Sequence, residues 1–192
     1  MVLPKLDQTY TYADYLEWPD EERWELLDGQ PVMMVPSPGT THQKLARNLT
    51  RLLGNVLVGH PCQLFPAPMD VVLSQANVVQ PDVFIVCEAD KILEHAIQGA
   101  PDVIFEILSP SSQKLDRAEK RDLYERYGVK EYCIVDPALK LVEMYRLATN
   151  GFYQKSQILD ENEKLELASL PGITLQLQEV FETQQASNNN PA

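Results

Sequence analysis

The sequence predicts an α/β fold, a mixed central sheet with helices on its faces. Three observations carry this. Between residues 42 and 136 the apolar patterns run helix, strand, strand, strand, helix, strand, which suits one sheet covered on both sides. Two runs, Pro81-Asp-Val-Phe-Ile-Val-Cys87 and Pro101-Asp-Val-Ile-Phe-Glu-Ile-Leu108, are short, continuous and rich in β-branched and aromatic residues, as buried strands are. The segment from Ser112 to Tyr127 is instead rich in helix formers and ends at Gly128, where a left-handed residue can close a helix.

Taken in order, residues 9–19 predict a short helix capped by Thr11 or Thr9 and stopped by Pro19, with Tyr12, Tyr15 and Leu16 on its apolar side. Asp28-Gly29 between two strand-like runs predicts a hairpin over 23–35, with Glu25 on its first arm. After a Pro36-Ser-Pro-Gly-Thr-Thr41 loop, a helix is expected from His42 to Val58, with Leu45, Leu49, Leu52, Leu53 and Val56 at helical spacing and Arg47 and Arg51 on another side. Residues 62–74 end as a strand, and Pro66 and Pro68 make their first half an edge or a bend. Val78 to Cys87 is its expected hairpin partner. In the helix from Ser112, Leu115, Leu123, Tyr124 and Tyr127 pack inward while most charges stay wet. Strands follow at 131–137 and 141–146, with two extended pieces at 152–159 and 164–167 ahead of Leu170-Pro-Gly-Ile-Thr-Leu-Gln-Leu177. The polar tail 184–192 has too little apolar content to fold, which leaves residues 1–183 as a single domain.

Composition narrows the class. With 192 residues, 44% hydrophobic and 23% charged, the chain can bury one core, and no window approaches the roughly 18–20 continuous apolar residues of a membrane span. The N-terminus shows no basic segment followed by an apolar stretch and cleavage site, so a cytoplasmic location is expected. Cys62, Cys87 and Cys133 are odd in number and lack metal-type spacing, which predicts buried free thiols. The net charge of -12 argues against general attraction to nucleic acid, although acids clustered to hold cations add to that total and a local basic groove can coexist with it.

The chemistry begins with acids inside apolar strands. An unpaired buried carboxylate costs several kcal/mol or takes up a proton, so Asp82 and Glu106 suggest a shared positive partner, most simply a divalent metal ion. Alternation places Asp102, Ile104, Glu106 and Leu108 on one face of their strand, and pairing with the neighbouring run would bring Asp82 and Glu106 to a common point. Magnesium accepts such a pair, because it uses one or two carboxylates and keeps waters. Asp116 and Lys120, four apart on the following helix, share a face from which Lys120 can reach the sheet end. Asp102 has the same Pro-Asp setting as Asp82 and is the alternative ligand. Glu25 can orient its hairpin or bind metal, and His42 can serve the start of its helix or the pocket.

Glu25-Leu-Leu-Asp-Gly-Gln, Ser37-Pro with His42 beyond it, Pro81-Asp82, Phe105-Glu-Ile-Leu-Ser-Pro-Ser111, Asp116 with Lys120 and Tyr124, Gly128-Val-Lys-Glu-Tyr-Cys-Ile-Val-Asp-Pro137 and Leu170-Pro-Gly-Ile follow one another in an order that resembles the Uma-type family of putative restriction endonucleases. The resemblance covers roughly residues 10–181. It places the chain in the PD-(D/E)XK nuclease superfamily and implies a restriction-endonuclease-like core with an extra N-terminal hairpin and C-terminal strands. It also implies hydrolysis of DNA phosphodiester bonds dependent on Mg²⁺ or Mn²⁺, with a metal-bound water as nucleophile. Carried onto this sequence, Asp82 and Glu106 are the metal-binding acids, the carbonyl of Ile107 is a backbone ligand, and Lys120 is the catalytic lysine. The superfamily's lysine stands two positions after the second acid, where this chain has Leu108, so Lys120 reads as its relocated replacement. The alternatives are a catalytically inactive module of the same fold that associates with protein or nucleic acid, and a metal-dependent hydrolase of smaller phosphoesters. A homodimer would suit cleavage of two strands.

Overall fold

The computed structural model describes residues 3–19, 22–34, 39–110, 112–155 and 157–182; the expected tail, Val35 of the hairpin arm and residues 36–38 of the predicted loop lie outside them. The first helix, α1 (Tyr12–Tyr15), is capped by Thr11, whose hydroxyl accepts from the Asp14 amide while the Asp14 carboxylate accepts from Thr11 N. Tyr12, Tyr15 and Trp18 pack on the sheet beneath, and those rings leave Leu16 exposed, against expectation. Strands β1 (Trp24–Leu27) and β2 (Gln30–Met33) form the expected hairpin. Its two turn residues, Asp28 and Gly29, take φ of 48° and 79°, as a type I′ turn requires.

Helix α2 (Thr40–Val56) starts two residues earlier than the sequence suggested, from an N-cap at Gly39, and buries Leu45, Leu49, Leu52 and Leu53. Val56 is exposed because Leu57 takes the inward place at the helix end. The chain then forms β3 (Gln63–Pro66), β4 (Asp70–Ser74), β5 (Asn77–Val79), β6 (Val83–Val86), β7 (Ala96–Gln98) and β8 (Val103–Ile107). A wide π-helical stretch, Leu115–Lys120, leads into α3 (Arg121–Tyr127), which Gly128 ends at φ 82°. Strands β9 (Glu131–Asp136), β10 (Leu141–Arg146), β11 (Gln157–Asp160), β12 (Lys164–Glu166) and β13 (Thr174–Gln176) follow, and α4 (Leu177–Phe181) closes the described chain.

The central sheet is mixed, as predicted, in the order β11-β10-β9-β8-β6-β3, with β8 and β9 parallel across the π stretch and α3. Not every strand between residues 42 and 136 belongs to it. Strands β4, β5 and β7 join the N-terminal hairpin in a second sheet of order β2-β1-β5-β4-β7. The cause is local: Pro66, Pro68 and Pro81 have no amide hydrogen to give a ladder, so the chain leaves the first sheet after β3 and returns to it at β6.

Two cores flank the central sheet. Val83, Ile85, Val103, Phe105 and Ile107 face α2, α4 and the C-terminal strands. Phe84, Ile104, Leu108 and Ile134 face α3 and the second sheet. The alternation predicted for β8 is therefore the one observed, and Glu106 points into the layer between the sheet, α3 and β1. Cys62 and Cys87 form a disulfide rather than two free thiols, because the register Gln63↔Val86 sets the flanking residues opposite each other; Cys133 is free and buried as expected. Among the described residues no helix is long and apolar enough to cross a membrane.

Candidate active site

The layer beneath β8 encloses one ammonium group in carboxylates. Lys120 Nζ lies 2.8 Å from Glu25 Oε1, 3.0 Å from Glu106 Oε1 and 3.9 Å from Asp116 Oδ1, and the lysine is only 3% exposed. Three separate elements bring these groups together. Glu25 comes from β1, where it also accepts the Gln80 amide at 2.9 Å; Glu106 comes from β8; Asp116 and Lys120 come from the π stretch. The Tyr124 hydroxyl, one turn further on, donates to Glu106 Oε1 at 2.9 Å. Tyr132 from β9 donates to the Asp116 carbonyl, which anchors the widened turn.

Asp82 stands at the more open end. Its side chain is 17% exposed, and its Oδ2 accepts the Ile107 amide at 2.8 Å and faces His42 Nε2 at 3.0 Å. The Asp82 amide in turn donates to Glu106 Oε2 at 3.3 Å, so the two acids are direct neighbours. Asp82, Glu106 and Lys120, all singled out from the sequence, thus form a chain of contacts through Glu106, and at Ile107 it is the amide rather than the expected carbonyl that meets Asp82. Leu108, where a lysine was expected, is buried in the core, and the ammonium reaches Glu106 from the helix instead.

Sequence reasoning assigns no role to Asp116 or Tyr124, yet helical periodicity points to both, and it leaves Glu25 between orienting its hairpin and binding metal. On a wheel of about 100° per residue, Asp116 and Lys120 continue N-terminally the face that carries Leu123, Tyr124 and Tyr127, so they turn inward with it rather than into water. Glu25 carries the signal Glu106 does, an acid in an otherwise apolar strand, and shares a face with core residue Leu27.

Burial sets the electrostatics. It pushes the Glu106 carboxyl up to about 8; Lys120 opposes this, while Asp116, Asp82 and Glu25 add to it. Asp116 is raised for the same first reason, with Lys120 and Ser112 opposing. Lys120 loses by desolvation but is held well above its usual range by Glu106, Glu25 and Asp116. Burial also raises the Tyr124 phenol well above its usual range, with Glu106 adding to it, so it is a proton donor to Glu106 at neutral pH.

Other buried acids lack this imbalance. Glu131 accepts Arg146, the amides of Ala168 and Ser169 and the Ser169 hydroxyl. Asp136 pairs with Arg117 and caps the amides of Ala138 and Leu139. Asp102, weighed as an alternative ligand, accepts Cys87 N at 2.7 Å and Lys130 Nζ at 2.6 Å. Each of its oxygens is thus already taken by a protein donor. Asp102→Asn is expected to lower stability by about 1–3 kcal/mol through loss of the charge-assisted bonds, and to leave Mn²⁺ affinity unchanged in calorimetric titration.

Among the described residues no group of three or more histidine, cysteine, aspartate or glutamate side chains is placed to hold a metal ion. Comparison with known proteins adds the lineage. The chain is 25% identical over 142 residues to the uncharacterized protein slr1290 of Synechocystis sp. (strain ATCC 27184 / PCC 6803 / Kazusa), a match covering 72% of this chain and 74% of that one. The fold matches the crystal structure of a putative nuclease belonging to DUF820 from Anabaena variabilis ATCC 29413 with a TM-score of 0.74, at 18% identity, over 89% of this chain and 97% of that one. A partial likeness to the type IIG restriction endonuclease BpuSI, with a TM-score of 0.37 and 14% identity over 57% of this chain and 12% of that one, is too loose to add to this. Residues 12–178, nearly all of the folded sequence and every side chain of the Lys120 cluster, match the Uma2 family, described as putative restriction endonuclease, and the chain belongs to that family.

Proposed function

We propose that the protein is a divalent-cation-dependent endonuclease acting on DNA, with Asp82 and Glu106 as the metal-holding acids and Lys120 as the cationic partner. The observation that best supports this is the charge imbalance of the cluster: Glu25, Glu106 and Asp116 meet a single enclosed lysine, and a fourth acid, Asp82, adjoins Glu106. Burial of excess negative charge is costly unless a further cation shares it.

The donor set fits Mg²⁺ or Mn²⁺. These hard ions take oxygen ligands, need only one or two carboxylates from the protein and fill other positions with water and substrate phosphate, so a three-ligand cage is not required. Asp82, Glu106 and the carbonyl of Ile107 would hold the ion. When bound, it supplies activation of water and neutralisation of charge on the phosphate. The chain's own groups do the rest. Lys120 and Tyr124 fix Glu106 through Oε1, and the Asp82 amide meets its Oε2. Glu25 on β1 accepts a second hydrogen bond from Lys120, so the ammonium orients water or steadies phosphate charge from a fixed position.

The proposal is tested by incubating the full chain with duplex, nicked, branched and single-stranded DNA. Cleavage is expected with Mg²⁺ or Mn²⁺, is lost on adding a chelator, and falls at least about 100-fold in Asp82→Asn. Cleavage that survives the chelator, or equal rates in the variant, contradicts it. The enclosure of Lys120, 3% exposed, favours a second reading in which the cluster is a structural ion-pair network in a non-catalytic module. That reading predicts no saturable Mn²⁺ binding.

A further inference from the structure

We infer that His42 is a positioning residue of the cation site, fixing which oxygen of Asp82 is offered to the ion; this rests on the proposed reading of Asp82 as a ligand. His42 lies in the first turn of α2, and its side chain is 14% exposed. Its Nε2 stands 3.0 Å from Asp82 Oδ2, and the Ile107 amide reaches the same oxygen at 2.8 Å. Two donors therefore converge on Oδ2, while Oδ1 accepts no hydrogen bond among the described residues. A carboxylate with one oxygen saturated in this way presents the other.

The donor logic also fixes the ring. An ionised carboxylate only accepts, so Nε2 carries the hydrogen toward Asp82. The opposite nitrogen, Nδ1, is buried and has no hydrogen-bond partner among the described residues. The only hydrogen bond or ion pair the imbedded ring makes there is thus to Asp82, and its side shares the helix face of Leu45 and Leu49, which holds it against the sheet. An imidazole anchored by a helix and aimed at one carboxylate oxygen is the outer-sphere arrangement that orients a metal ligand. Simple fastening of α2 to the sheet does not need it, since Leu45, Leu49, Leu52 and Leu53 already do that.

The test is calorimetric titration of the metal-free full chain with Mn²⁺, comparing wild type, His42→Leu and His42→Gln. Leucine keeps bulk and lacks the N–H; glutamine can return an N–H near the position of Nε2. His42→Leu is expected to bind Mn²⁺ about 10–100-fold more weakly, and His42→Gln to recover to within about 3-fold of wild type. A folded His42→Leu that binds as tightly as wild type overturns the inference, as does a His42→Gln that loses as much as leucine. Should the leucine variant not fold, His42→Met, of similar length to glutamine but without a donor, replaces it in the comparison. If wild type itself binds no Mn²⁺, the reading of Asp82 and Glu106 fails first, and this inference with it.

Discussion

Glu106→Gln is expected to lower DNA cleavage at least about 100-fold while removing a pH-dependent weakness from the metal-free fold. The loss of cleavage follows from the proposed role of Glu106 as a ligand. The stability effect follows from its burial, which raises its carboxyl from 4.5 to about 8, with Lys120 opposing. Between those values the native state keeps a proton that the unfolded chain releases, so native binds more protons than unfolded and stability falls as pH rises through the window. Glutamine has no proton to lose. Urea unfolding in the presence of chelator, run across pH 5 to about 8, is therefore expected to show wild type losing stability relative to the variant as pH rises. A difference that stays constant over that range contradicts the assignment of the excess charge to Glu106.

Lys120→Met is expected to have the largest effect on folding. Methionine keeps much of the side-chain volume but leaves Glu25, Glu106 and Asp116 enclosed without their cation. Breaking a buried ion pair from one side costs about 3–5 kcal/mol, a large part of the 5–15 kcal/mol that holds a typical domain together. The sign of its pH dependence is fixed as well. With the lysine gone, the Glu106 and Asp116 carboxyls are held further above their unfolded values, so the variant recovers stability as pH falls and they take up protons. Denaturant unfolding at two pH values measures both effects. A loss under about 1 kcal/mol would mean that Lys120 makes no net contribution to the packed cluster.

Much of this was legible in the sequence because the signals were strong and local. Asp28-Gly29 demanded a turn with two positive φ angles, Gly128 demanded a left-handed end to α3, and both are found. The acid inside Val103–Ile107 pointed to Glu106, and the register of β6 with β8 brought Asp82 beside it. The rest was not legible for reasons that are themselves physical. Prolines mark where a ladder stops but not which sheet the chain joins next, so the transfer of β4 and β5 to the second sheet was missed. A buried acid is not specific either: Glu131 and Asp136 look the same in sequence and are simply satisfied by arginines and amides. What separates the site from them is the sharing of one lysine by several carboxylates, a relation among β1, β8 and the π stretch that no single segment contains. The disulfide was missed for a similar reason, since only the register of β3 with β6 sets Cys62 opposite Cys87.

The most direct measurement is anomalous diffraction from a crystal soaked with Mn²⁺. The account predicts a single manganese peak coordinated by carboxylate oxygens of both Asp82 and Glu106, with Lys120 still against Glu106 from the helix side. A saturating soak with no peak at that pair, or with manganese bound at Asp102 instead, would contradict it.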